Sequence, residues 1–243
     1  MLLPYKIADL LVNMNVRYPL LLKRAEAYRL DGVCHSQPCD FSIDLTDDQL
    51  RQIQNPYLGL NEYEYLAYGS CFYRQLLRYR GMMLHASAVA YQGKAYLFSA
   101  PCRTGKSTHA QQWRACFGRE VCIINDDKPA IRFIDGVFYA YGTPFSGKTD
   151  RNRNLRVPLQ AICILEQGDA NVIEPVRASE AIYPLLHQTT HMLTAENMQR
   201  LLDVLDTLVR QIPVYRLKCT ISEEAARVAY EAMSRERRGS PDV

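Results

Sequence analysis

The sequence predicts a mixed α/β fold built on a strand–loop–helix unit of the phosphate-binding (P-loop) type. Three observations carry this. The apolar run Ala95-Tyr96-Leu97-Phe98 leads into a tight stretch ending Gly105-Lys106-Ser107-Thr108, and an amphipathic run starts at His109. Upstream, 83–89 reads as a strand and Tyr91-Gln92-Gly93-Lys94 as a turn into the next strand. Downstream, Val121-Cys122-Ile123-Ile124 is an apolar strand that runs into Asn125-Asp126-Asp127 and so ends in paired carboxylates. The expected organisation is a small N-terminal α/β layer with a lead-in helix (1–80), then a mixed-sheet core with C-terminal helices (81–243). One continuous domain is the alternative.

In a P-loop, backbone N–H groups and a helix N-terminus cradle phosphates, a lysine adds a point charge, and a hydroxyl ligates Mg²⁺. Here the loop residues for that task are Ala100, Cys102, Arg103, Thr104, Gly105, Lys106, Ser107 and Thr108. The pattern G-x-x-x-x-G-K-[ST] is met at Gly105, Lys106 and Ser107 but has Ala100 at its first glycine. Because alanine tolerates positive φ poorly, the first turn is expected to be built differently. A strand ending in Asp126 and Asp127, taken to adjoin the loop's strand, would deliver an acid to a metal beside the phosphates.

The remaining elements follow in order. In 1–60, short apolar runs at 7–16 and 18–22 suit strands or a strand and a short helix, Asp31-Gly32 a turn, and 41–45 a half-buried strand. Asn61 is the expected N-cap of a helix reaching Arg80, with Tyr65, Tyr68, Cys71, Phe72, Leu76 and Leu77 on its core face. Trp113 is expected in the core and Gly118 at a helix C-cap. Residues 130–133, Asp135-Gly136 and 137–141 form the clearest hairpin signal. The loop beyond it holds Lys148, Arg151, Arg153 and Arg156, and reads equally as a solvated surface or as a mobile active-site loop. A strand over 159–165, helices over 179–191 and 195–211, a strand over 212–217 and a helix over 222–234 complete the chain, with a frayed tail from 235.

Composition sets bounds. At 243 residues, 48% hydrophobic and 23% charged, the chain can bury a sizeable core. A formal charge of +3 gives no reason to expect a nucleic-acid partner. No apolar run approaches the roughly 18 residues of a membrane span and no signal peptide is visible, so a cytoplasmic protein without a membrane partner is expected. Eight cysteines show no C-x-x-C pair; Cys71, Cys122 and Cys163 read as buried thiols. Cys34, His35 and Cys39 lack a fourth zinc ligand, and His187 and His191, at i and i+4, read as unmetallated helix residues.

With those residues in view, the chain resembles the HPr serine kinase and phosphoenolpyruvate carboxykinase superfamily. Leu84-His85-Ala86-Ser87-Ala88-Val89, Gly93 and then 99–107 are similar to the carboxykinase run L-H-C-S-A-N, glycine, strand and P-loop. Asn125-Asp126-Asp127 is similar to the paired aspartates of both branches. The resemblance spans 82–148, roughly a quarter of the chain, and implies the fold of the HPr kinase C-terminal domain and the carboxykinases.

The resemblance also implies roles. The loop would bind the triphosphate of ATP, another nucleoside phosphate or pyrophosphate being the open alternative, with Ser107 on Mg²⁺, and His85 would sit by the metal or the phosphates. Asp126 and Asp127 would divide metal binding and proton acceptance, with Asp126 favoured as base and Asp127 as metal ligand. Neighbouring strand residues face opposite ways, so the division stays open. Lys148 or Arg151 would supply the loop cation. The implied activity is transfer of the γ-phosphate to a hydroxyl on a peptide, protein or metabolite. A non-catalytic nucleotide- or peptide-binding module is the alternative, and decarboxylation is third because the cations for a dicarboxylic acid are not found. HPr itself is not assigned as substrate, and homo-oligomer formation is left open.

Overall fold

Two tight hairpins and one long strand set the frame. The computed structural model describes residues 1–31, 38–190 and 193–235. Strands β1 (Leu3–Ile7) and β2 (Leu10–Met14) pair antiparallel across Ala8 and Asp9, both at positive φ (51° and 59°), the twist a two-residue hairpin needs. Helix α1 (Pro19–Ala25) follows, and β3 (Phe41–Ile43) adds parallel to β2. Helices α2 (Asp47–Arg51) and α3 (Leu60–Leu76) close the layer. The cap of α3 is Gly59 rather than Asn61, because the Asn61 side chain is taken up by the Leu20 N–H, 2.9 Å away. The helix also stops at Leu76 and tightens into a 3₁₀ turn, short of Arg80.

The large sheet begins with β4 (Gly81–Met83) and β5 (Ala86–Tyr91). The single strand expected over 83–89 breaks at Leu84-His85, whose N–H groups leave the ladder for the carbonyls of Pro129 and Gln188. Strand β6 (Lys94–Ser99) and helix α4 (Lys106–Phe117, closed by Gly118) follow. After them come β7 (Cys122–Asp127), β8 (Ala130–Ile134) and β9 (Val137–Tyr141). Strand β10 (Arg156–Gln167) pairs antiparallel with β9 at its start, then parallel with β6 and with β12 (Val214–Cys219), which curls the sheet. The strand order is β4-β8-β9-β10-β6-β5-β7, with β12 on β10 and β11 (Val172–Val176) on β12. Sequence reasoning passed over β11. Helices α5 (Ala178–Leu186), α6 (Ala195–Gln211) and α7 (Glu223–Met233) cover the sheet; α5 is shorter than expected.

Three apolar clusters hold this together. One lies under α5 and α6, and one under α4 and α7 around the fully buried Trp113. The third joins the N-terminal layer to Met83, Ala130 and Tyr141 of the large sheet and to Phe145 in the segment after β9. Tyr65, Tyr68 and Phe72 of α3 lie in it, as their spacing predicts. Of the three thiols expected inside, only Cys163 is buried; Cys71 and Cys122 are half-exposed. Gly32, Cys34, His35, His191 and 236–243 lie outside the described residues, and with them the Asp31-Gly32 turn, both zinc readings and the tail. Among the described residues no helix is long and apolar enough to cross a membrane.

Candidate active site

Loop 100–105 connects the buried end of β6 to α4. Its positive φ values fall on Arg103 (67°) and Gly105 (113°), not on Ala100. Ala100 is buried in the cluster beneath α4 and takes no positive φ, so the turn is made at Arg103 and Gly105, in keeping with an alanine at the first glycine position. Gly105 precedes α4 and no side chain caps the helix, which leaves its first N–H groups available to an anion. Lys106 is 8% exposed, and its Nζ donates to the carbonyls of Ala100 (2.7 Å) and Pro101 (3.1 Å), folding the ammonium back over the loop. Burial pulls its pKa below the ordinary lysine value, opposed by Cys102 and by the carboxylates of Asp127 and Asp126. The two carboxylates and the ammonium therefore lie within one another's field.

The acid strand does not adjoin the loop's strand, contrary to the sequence expectation. Strand β5 runs between them, with Ala86 opposite Ser99 on one side and Asp127 on the other. Loop and acids emerge at the same end of the sheet, two strand spacings apart, about 10 Å. Ser87 and His85 fill the gap. Asp126 is 3% exposed; its Oδ1 accepts from Ser87 Oγ at 2.5 Å and its Oδ2 from Thr149 Oγ1 at 3.1 Å. Among the described residues no cation stands within ion-pair distance of it. Asp127 turns the other way, with Oδ1 3.2 Å from His85 Nε2 and Oδ2 3.5 Å from Lys128 Nζ. Burial disfavours its charge, but the hydrogen bond from His85 and the Lys128 ammonium outweigh that and hold its carboxyl below the usual aspartate value.

His85 is set by Gln188, whose carbonyl accepts the His85 N–H at 2.7 Å and whose side-chain oxygen lies 3.1 Å from Nδ1. Both ring nitrogens thus face oxygen, Nδ1 that of Gln188 and Nε2 that of Asp127. The segment after β9 is fastened along its length: Asp126 N–H donates to Arg151 O (3.0 Å), Arg153 N–H to Ile124 O (3.0 Å) and Asn152 Nδ2 to Ser146 Oγ (2.9 Å). Lys148 and Arg151 are exposed and form no ion pair with either acid. Gly147 (φ 70°) packs so closely that a Cβ there would lie 2.7 Å from Asp127 Cβ. Asn125 Nδ2 bonds Thr143, and Tyr73 OH donates to Lys128 O at 2.5 Å, fixing the turn beyond the acids.

Ser87, Thr149 and Gln188 are the contacts sequence reasoning left without a role. Ser87 had a signal, two residues after His85 in the run 83–89; Gln188 had none, since a chain separation of 103 residues brings it there. A cavity of about 350 Å³ opens beside the loop, lined by Arg103, Gly105, Thr108, Gln112, Leu165 and Ile221 among others. Among the described residues no three His, Cys, Asp or Glu side chains group as a metal cage. Mg²⁺ bound through one or two carboxylates, a hydroxyl and substrate phosphates requires no such cage.

Among solved structures, the HPr(Ser) kinase/phosphatase from Coxiella burnetii matches with a TM-score of 0.36 at 10% identity, covering 63% of this chain and 98% of that one, a distant likeness. The search of curated proteins found no match. The family model for the SynChlorMet cassette protein ScmC matches residues 65–227, two thirds of the sequence. The chain therefore belongs to the ScmC family of SynChlorMet cassette proteins.

Proposed function

We propose that this protein is a phosphotransferase that moves the γ-phosphate of ATP to a hydroxyl, with Mg²⁺ as cofactor. The observation that carries the reading is Lys106, folded over an uncapped helix N-terminus, at the same sheet end as a buried carboxylate, Asp126, that has hydroxyl donors but, among the described residues, no counter-cation within ion-pair distance. A buried anion without a cation is costly, and a site built that way suits a proton or a metal in its working state.

The residues divide the work as follows. The amides at the start of α4 and Lys106 hold the phosphates, Lys106 exchanging its two loop carbonyls for phosphate oxygens. Asp127, held by His85 and Lys128, and Ser107 are the metal ligands. Mg²⁺, when bound, neutralises charge on the transferred phosphoryl group. Asp126 accepts the acceptor's proton as its oxygen bonds to the γ-phosphorus and the bond to the ADP oxygen breaks. Ser87 and Thr149 orient Asp126, and His85 orients Asp127. The nucleoside has room in the cavity beside Gly105 and Thr108. The non-catalytic alternative, a binding module of the same fold, drew on the replacement of the first loop glycine by Ala100; it predicts nucleotide binding without turnover.

The test is nucleotide turnover by purified protein with Mg²⁺ and a serine peptide. Lys106→Ala and Asp126→Ala should each lower it by roughly 10²–10⁴-fold. Turnover unchanged in both variants overturns the reading.

A further inference from the structure

Beyond the candidate active site, four arginines converge on one cleft at the outer edge of β7. Arg114 comes from α4, Arg119 from the 3₁₀ turn Gly118–Glu120, and Arg151 and Arg153 from the segment beside β7; together with Val121, Cys122, Ile123 and Asn152 they line a cavity of about 370 Å³. Asn152 bonds inward to Ser146 and Tyr28, so its neighbours Arg151 and Arg153 emerge on the opposite face, toward α4. None of the four has an ion pair or side-chain hydrogen bond among the described residues, whereas nine of the sixteen other described arginines pair with an acid. Glu120 is adjacent in sequence but does not line the cleft. Four like charges from three stretches repel one another and call for an anionic partner.

The cleft also offers backbone. Strand β7 ends the main strand order, and its outer side is occupied by 151–153 only as far as Ile124. Beyond that, 121–123 have no strand partner there among the described residues and face the cleft. An open strand edge accepts an extended chain through main-chain hydrogen bonds.

From these two features we infer that the cleft is the docking site of an extended, acidic polypeptide segment. Its carboxylates pair with Arg114, Arg119, Arg151 and Arg153 while its main chain meets the edge of β7. Calling that polypeptide the phosphate acceptor rests on the phosphotransferase reading: the cleft's Arg151 end is joined to Asp126 by a 3.0 Å backbone hydrogen bond, so a chain docked there runs toward the carboxylates.

Fluorescence anisotropy with a labelled decapeptide alternating Glu and Ser, and its Gln-for-Glu counterpart, tests this. The acidic peptide should bind at least about tenfold more tightly than the Gln peptide, and weaken steeply between about 50 and 300 mM salt. Arg114→Glu with Arg119→Glu should lower its affinity about tenfold or more, without moving the thermal unfolding temperature or nucleotide binding; Arg114→Gln with Arg119→Gln should give a smaller loss. Equal binding of the two peptides, or full affinity in the charge-reversed variant, overturns the inference. So does self-association of that variant with no preference for the acidic peptide, which would make the arginines a guard on an open edge. A single-stranded oligonucleotide binding more tightly than the peptide overturns it in favour of nucleic acid. Lys106→Ala separates the two proposals, since it should abolish turnover yet keep peptide affinity.

Discussion

Ser87 Oγ donates to Asp126 Oδ1 across one strand pair at 2.5 Å, and both residues are almost wholly buried. This contact ties the strand between loop and acid strand to the acid itself. It fixes the carboxylate with a neutral donor, so the charge of Asp126 is oriented without being cancelled. A cation in place of Ser87 would hold Asp126 as well but would blunt it as a proton acceptor.

Removing that donor should therefore affect both stability and turnover. Ser87→Ala leaves Oδ1 without its partner in a buried place, a loss of about 1–3 kcal/mol. Urea unfolding should show it. Turnover should fall by roughly tenfold or more, because a base that swings from its position is a poorer one. Wild-type stability would mean that water takes over the hydroxyl's place.

His85 and Lys128 keep Asp127 ionised below the usual aspartate range, and the sign of the effect on stability follows. A carboxyl whose folded pKa is depressed stabilises the fold above its unfolded pKa, near 3.9, and loses that contribution as pH falls through the lower folded value. His85→Ala should move the acid limb of the stability–pH curve to higher pH. Unfolding midpoints measured at successive pH values below about 5 would reveal the shift.

His109 is a second titrating group with the opposite charge logic. Burial pushes its pKa down to about 4, and its Nε2 accepts from Trp113 Nε1–H at 3.1 Å, which requires the neutral ring. The unfolded chain binds this proton near pH 6.5, so the folded state loses stability as pH falls from there toward 4. The loss amounts to roughly 2–4 kcal/mol. His109→Gln keeps an acceptor for Trp113 and should flatten the profile over that window.

Gly147 is required twice, by its φ of 70° and by Asp127 pressed against it. Gly147→Ala should cost about 1–2 kcal/mol of stability for the strained backbone and the clash. Because the displaced group is Asp127, turnover should drop by more than that stability loss accounts for. Comparing kcat at a temperature where both proteins are fully folded separates the two effects.

Much of the fold was legible because local chemistry decides it. The turns at Gln92-Gly93 and Asp135-Gly136 formed as their residues required, both at positive φ. The face of α6 and the Ser222 cap of α7 also follow from local pattern. The failures came where distant contacts decide. Leu84-His85 leaves the strand because Pro129 and Gln188 compete for its N–H groups, and Asn61 does not cap α3 because Leu20 takes its side chain. For the site, the loop, Lys106 and the two acids could be read from spacing, but not the intervening β5 or the turning apart of Asp126 and Asp127. Arg151 could be read only as a cation, and its place in a cleft with Arg114 and Arg119 needed the sheet edge.

The most direct measurement is a crystal structure with a non-hydrolysable ATP analogue and Mg²⁺. Lys106 Nζ should leave the carbonyls of Ala100 and Pro101 for phosphate oxygens, with the metal between Ser107 and Asp127 and the γ-phosphate facing Asp126. A nucleotide bound elsewhere, or a loop that keeps Lys106 on its own carbonyls with the analogue at saturation, would contradict the account.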